Sequence, residues 1–241
     1  MSVKFTKNFY IKDMDSDLVV SESLRFCDQY GLLQSEQVLL EKYAQKDAYI
    51  LDALCGVGRV TFGLKNLGYK NVVGADYAHK QFLHAKAKGC KNFKRGLFNQ
   101  FLMRDKFDVI IYPNNSFMKL PGACIREKEL KQITKLLKKG GLLIINCWDR
   151  EKMHGFKKFF EQEKLRWEEG KTQNGLIDFG DILRPNPFTQ IIHVPNESEM
   201  QELFKRCKLN ILEIVSKESI TDEKNLKREN MQNSFYYVVR K

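Results

Sequence analysis

Four apolar runs constrain this chain more than anything else in it. They are "YILDAL" (49–54), "NVVGAD" (71–76), "FDVIIYP" (107–113) and "LLIINCW" (142–148). Stretches suited to helices separate them: about Arg59 to Leu67 closed by Gly68, 78–89 closed by Gly89, and an amphipathic 125–141 with a double-glycine stop. Strands without polar alternation, joined through helices, are buried on both faces, so the pattern predicts a parallel sheet between helical layers. The first run breaks into Cys55-Gly56-Val57-Gly58 and then resumes as a helix. Two glycines there either make a tight turn or let something lie against bare backbone.

The flanking segments read differently. Asp13 to Asp17 offer N-caps for a helix ending at Gly31, and Ser35 to Ala44 is a second amphipathic stretch. "KNFKRG" (91–96) reads as a short strand. After Trp148 the period changes. "KLRWEE", "GLIDFGDILR" and "FTQIIHV" look like short antiparallel strands of an inserted flap, set apart by glycines and by Pro185 and Pro187. A helix (197–207) and two strands (209–216, 234–241) follow, a late hairpin suited to closing a sheet edge. At 241 residues, 43% hydrophobic and 29% charged, the chain is long enough and apolar enough for one large domain. The expected division is a helical lid (1–46), a ligand-binding core (47–148), the flap (149–195) and a C-terminal helix and hairpin (196–241).

The glycine turn fits neither common phosphate loop. A GxGxxG fingerprint needs glycine where Thr61 stands, and no GK[ST] follows. Strand two ends in Asp76, 18 positions after Gly58. In doubly wound sheets ligands bind at the carboxyl ends of the strands. An acidic residue there is placed to accept from ribose hydroxyls, so the turn and Asp76 together suggest an adenosine-containing ligand.

"YILDALCGVGRVTFGLKNLGYKNVVGADYA" resembles the first motif and following acidic strand end of class I S-adenosylmethionine-dependent methyltransferases. "FDVIIYPNNSFMKLPG" resembles their fourth-strand motif, and "LKQITKLLKKGGLLIINCWD" their helix, GG turn and fifth strand. The resemblance covers about residues 45–150 well and the C-terminal hairpin loosely. It implies a doubly wound α/β fold with a seven-stranded mixed sheet, a final antiparallel strand, and S-adenosylmethionine as cofactor. On this sequence, Asp52, Cys55, Gly56 and Gly58 would form the loop under the methionine end. Helix N–H groups from Arg59 onward would face the cofactor's carboxylate. Asp76 would hold the ribose, and Tyr77 would pack on adenine or merely start a helix. No acidic residue follows strand three, which leaves backbone near Leu97 and Phe98 for the adenine amino group. Asn114, after strand four, is assigned to the cofactor side of the pocket.

The acceptor is less defined. A sulfonium methyl is already activated, so positioning can supply much of the catalysis and no strong base is required. Asn115 and Ser116 would orient a polar acceptor or simply satisfy a turn. His193 would take a proton or serve structure. Tyr10 would cover the cofactor or pack in the core. Asp178 and Asp181, flanking Phe179, would hold a cationic amine or end a solvated strand. The aromatic-amide NPPY or DPPY motif is absent, which argues against amide and exocyclic base amines. The expected acceptor is a nitrogen or oxygen of a small molecule. "GDILRPNPFTQIIHVPNESEMQELF" with "NSFYYVVRK" loosely resembles tRNA wobble-uridine carboxymethyl methyltransferases. With a net charge of +11, this keeps tRNA as an alternative acceptor. Binding the cofactor without turnover, as a regulatory or scaffold protein, is the third reading. Six scattered cysteines without a CxxC pair read as reduced thiols of a cytoplasmic protein. The four histidines show no metal spacing, the N-terminus is mixed and charged, and no apolar run reaches bilayer length, so neither metal nor membrane is expected.

Overall fold

In a computed structural model of the chain, the described residues are 7–89, 93–95, 106–171, 176–183, 190–222, 224–225 and 233–241. Helices α1 (Lys7–Met14), α2 (Asp17–Tyr30) and α3 (Gln34–Tyr43) come first. The core then alternates β1 (Tyr49–Ala53), α4 (Arg59–Asn66), β2 (Asn71–Asp76), α5 (His79–Ala87), β3 (Phe93–Arg95), β4 (Phe107–Tyr112), α6 (Ala123–Ile133) and β5 (Leu137–Trp148). After these come α7 (Lys157–Glu168), β6 (Asp181–Leu183), β7 (Ile191–His193), α8 (Glu197–Arg206), β8 (Asn210–Ser216), α9 (Lys217–Ile220) and β9 (Ser234–Arg240).

The main sheet runs in the order β3-β2-β1-β4-β5-β9-β8. Strands β1 to β5 pair in parallel, while β9 is antiparallel to β5 and to β8. Alternate residues face opposite layers. Leu51, Val73, Ile110 and Leu143 join one core, with Leu130 of α6 and Phe204 of α8. Ile50, Val72, Ile111 and Ile144 join the other, with Leu40 of α3 and Leu64 of α4. The two-sided burial read from the apolar runs is therefore real. Each buried aliphatic side chain contributes about 1.5–3 kcal/mol. Among the described residues no helix is long and apolar enough to cross a membrane.

Two expectations fail. The helix expected over 125–141 stops at Ile133, passes through a 3₁₀ turn (Thr134–Leu136), and gives way to β5 from Leu137. Lys138, inside the expected helix, instead donates to both oxygens of Asp108 on β4, at 2.7 and 2.9 Å. Gly141 permits the irregular pairing near Phe107, since a Cβ there would meet Lys138 O at 3.0 Å and Asp108 O at 3.2 Å. The second failure is "KLRWEE", expected as a strand, which lies in α7. Its charges pair at helical spacing, Arg166 with Glu163 and Lys164 with Glu168, and Phe160 and Glu163 are buried together on one side. The other two flap pieces do pair, as the antiparallel β6–β7 hairpin.

Candidate functional site

The chain leaves β1 through a turn with three left-handed residues: Leu54 (φ 54°), Gly56 (55°) and Gly58 (90°). Two buried carboxylates fix this turn through backbone N–H groups. Asp52, on β1, accepts from Thr61 N at 2.9 Å and from Thr61 Oγ1 at 2.7 Å. Thr61 therefore ties the start of α4 to β1 at the position where the dinucleotide pattern would have glycine. Asp76, at the end of β2, accepts from Gly56 N at 2.8 Å and Ala78 N at 2.9 Å. Burial raises Asp52 to about 7 and Asp76 to about 6, against the lowering effect of these bonds.

Arg59 opens α4. Its backbone stands at the helix start, while its guanidinium turns to α3 and forms a bidentate pair with Glu36, donating also to Gly31 O at 2.8 Å. Both side chains are buried. Glu36 also accepts from Leu33 N, so one carboxylate caps α3 and fastens α4 to it. Nothing in the sequence marks this partnership, because the residues lie on different helices 23 positions apart.

A cavity of about 280 Å³ opens beside the turn, at the carboxyl ends of β1 and β4. Cys55, Gly56 and Arg59 form one wall. Asn114, Asn115, Ser116 and Lys119 form the β4 wall with Trp148 of β5, while Met14, Ser23 and Phe26 cover it from α1 and α2. Ile192 of the flap also reaches it. Asn114 and Asn115 are both left-handed (φ 46° and 55°), a conformation asparagine tolerates. Asn115 Oδ1 accepts from Trp148 N at 2.8 Å and so binds the ends of β4 and β5 together.

Several expected site residues are spent elsewhere. Tyr77 turns its hydroxyl to Glu129 and packs edge-on against Tyr10, so its ring is core rather than a free adenine platform. Tyr10 on α1 is 3% exposed. Burial, and then the charge of nearby Asp76, push its hydroxyl well above its ordinary range. Asp52 and Asp76 stand behind the turn and are not on the cavity wall. Leu97 and Phe98 lie outside the described residues.

His193 is held between two carboxylates: Nδ1 lies 2.8 Å from Asp181 Oδ1, and Nε2 contacts Glu199. Arg150 closes the chain by donating to Glu199 at 2.8 Å. Burial opposes ionisation of Glu199, yet His193 and Arg150 outweigh it and hold the carboxyl at about 2. With both ring nitrogens engaged, His193 anchors the flap to α8. Asp178, Asp181 and His193 bring ligand atoms within 4.8 Å of one another. Asp178, however, pairs with Arg126 at 2.7 Å, and Asp181 also accepts from Ile177 N and Asp178 N. These carboxylates are committed to the protein, which corrects the amine-holding expectation.

Residues 50–141 match a family model described as a methyltransferase domain. No curated protein matches the chain. Among solved structures, an S-adenosylmethionine-dependent methyltransferase from Methanosarcina mazei is 20% identical, with a TM-score of 0.64 over 84% of this chain and 96% of that one. The 1,6-didemethyltoxoflavin N1-methyltransferase of Burkholderia thailandensis, solved with bound 1,6-didemethyltoxoflavin and S-adenosylhomocysteine, is 15% identical, with a TM-score of 0.64 over 100% of this chain and 92% of that one. The magnesium protoporphyrin IX methyltransferase of Synechocystis, solved with S-adenosylhomocysteine, is 14% identical, with a TM-score of 0.61 over 98% and 100%. Residues 50–141 are thus similar to a methyltransferase domain, and the chain as a whole shares its fold with these S-adenosylmethionine-dependent methyltransferases.

Proposed function

We propose that this protein transfers the methyl group of S-adenosylmethionine to a nitrogen or oxygen of a small molecule. The supporting observation is the cavity of about 280 Å³ between the glycine turn and the β4 corner, closed over by α1, α2 and the flap. Its size lies near the lower end of small-ligand pockets, roughly 300 Å³. The turn fits the cofactor: Cys55, Gly56 and Val57 line the wall, and Gly56 leaves it without a side chain. The bound cofactor would supply an electrophilic methyl on a sulfonium. Gly56 and the start of α4 would receive its amino-acid end. Asp76 would offer lone pairs to ribose hydroxyls besides the backbone bonds it accepts from Gly56 and Ala78. Reaching it requires α1, with Tyr10, to shift, in keeping with a lid role for residues 1–46.

The β4 corner would seat the acceptor. Asn115 fixes the corner through Trp148 N, while Asn114 and Ser116 line the same cavity as Trp148. No side chain is required as a base, because desolvation and in-line placement supply the catalysis. His193 supports the flap through Asp181 and Glu199.

The test is transfer of radiolabelled methyl from S-adenosylmethionine into a cell extract, divided into RNA, protein and small-molecule fractions. Label in the small-molecule fraction is expected. Label in tRNA, with transfer falling steeply as salt rises, would move the acceptor to RNA, the reading that the +11 charge favours. Cofactor binding with no label in any fraction would favour the non-catalytic reading.

A further inference from the structure

Gln81 plays no part in the functions described above, yet it is one of the most constrained polar side chains near the cavity. It sits in the first turn of α5 and is 0% exposed. Its amide nitrogen donates to Met14 O at 3.1 Å and to Ser23 Oγ at 3.3 Å, so one group holds both α1 and α2. Ser23 is itself tied to its helix through Val19 O at 2.8 Å. A carbonyl such as Met14 O only accepts, so the amide nitrogen must face α1. The amide oxygen is thereby turned the other way. Oε1 stands 3.5 Å from the place a Cβ on Gly56 would occupy. It is buried, and among the described residues it has no hydrogen-bond partner.

A buried carbonyl oxygen without a donor is unfavourable and uncommon. Here three of its neighbours, Met14, Ser23 and Gly56, line the cavity. The orphaned acceptor thus lies at the glycine turn, against the residue whose missing side chain admits a ligand. A ligand resting on Gly56 and carrying a hydroxyl or ammonium donor would complete it.

We propose that Gln81 contacts the cofactor and couples its binding to the docking of the N-terminal helices. The oxygen accepts from the cofactor while the nitrogen of the same amide holds Met14 and Ser23. Ligand occupancy and helix docking then stabilise each other, as linkage requires. This rests on the S-adenosylmethionine reading above. The donor is either a ribose hydroxyl or the amino-acid ammonium.

The experiment uses the full chain, with S-adenosylhomocysteine and 5′-methylthioadenosine as probes. Calorimetry gives Kd for the wild type, Gln81→Met and Ser23→Ala, and hydrogen exchange follows the α1 and α2 amides with and without ligand. Gln81→Met should weaken S-adenosylhomocysteine about tenfold, the loss of one buried hydrogen bond. Ser23→Ala, which removes only one anchor of the helices, should change it less than threefold. S-adenosylhomocysteine should slow exchange in α1 and α2 of the wild type but not of Gln81→Met. An equal loss with 5′-methylthioadenosine identifies the ribose as donor, and a loss confined to S-adenosylhomocysteine identifies the ammonium. Should Gln81→Met not fold, Gln81→Asn retracts the amide by one methylene, and the same loss is expected. Unchanged affinity in a folded Gln81 variant, or equal losses from Gln81→Met and Ser23→Ala, overturns the contact. Wild-type protein that binds neither probe overturns the cofactor reading itself, a distinct result.

Discussion

The glycine turn and the β6–β7 flap border the same cavity but are held in different ways. At the turn, carboxylates grip backbone: Asp52 takes Thr61 N and Asp76 takes Gly56 N. At the flap, polar side chains grip one another, in the series Asp181, His193, Glu199 and Arg150. The two regions therefore respond to pH with opposite sign. Burial raises Asp52 to about 7. A carboxyl whose folded pKa exceeds its unfolded value of about 4 contributes fully below pH ~4, and its contribution is lost as pH rises through its folded pKa. Glu199, held at about 2, contributes above its unfolded value and loses that contribution as pH falls. The turn is a seat fixed by bonds to backbone on one side of the cavity, whereas the flap is a cover held side chain to side chain on the other.

The largest expected effect comes from the join between α3 and α4. Glu36→Ala leaves the Arg59 guanidinium buried and unpaired, and urea unfolding should register a loss of about 3–5 kcal/mol. A loss under 1 kcal/mol would mean that the turn does not depend on α3. Asp76→Ala comes next. It removes the acceptor for the Gly56 and Ala78 backbone donors and, on the function proposed above, for the ribose, so S-adenosylhomocysteine affinity should fall by about two orders of magnitude. Unchanged affinity by calorimetry would show the ligand placement to be wrong.

Glu199→Gln should loosen the flap by about 1–2 kcal/mol, seen as faster hydrogen exchange at β6 and β7. S-adenosylhomocysteine affinity should stay within about twofold of wild type, reflecting a single weak linkage across the cavity. A loss matching that of Asp76→Ala would erase the division between seat and cover. The last test is of pH dependence. Asp52→Asn keeps an acceptor for Thr61, and its Tm relative to wild type should rise by about ten degrees at most between pH 4 and pH 7. A flat difference would place the Asp52 carboxyl outside the linkage.

The elements most legible in sequence were those whose signal is local. Runs such as "FDVIIYP" announced buried parallel strands, and each of the four lies in the main sheet at the expected place. The glycine turn and the acidic end of β2 were visible because positive φ and an unusual residue at a strand end leave marks in the chain. Misreadings came where local preference was overruled. The Lys138–Asp108 pair and the bulge at Gly141 drew the end of a helical pattern into β5. Helical charge pairing in α7 overrode the apolar alternation of "KLRWEE".

Hydrophobic period and backbone conformation are local properties, so the α/β architecture and the position of the glycine turn were readable in the sequence alone. Only the tertiary structure decided what the polar side chains do. It turned Tyr77 to Glu129, gave both nitrogens of His193 to carboxylates, and joined Arg59 to Glu36. It also brought Gln81, unremarkable in sequence, against Gly56 with an unpaired oxygen. Hydrogen-bond partnership depends on distances between residues far apart in the chain, and burial makes each such pairing obligatory. No local pattern of amino acids encodes those distances.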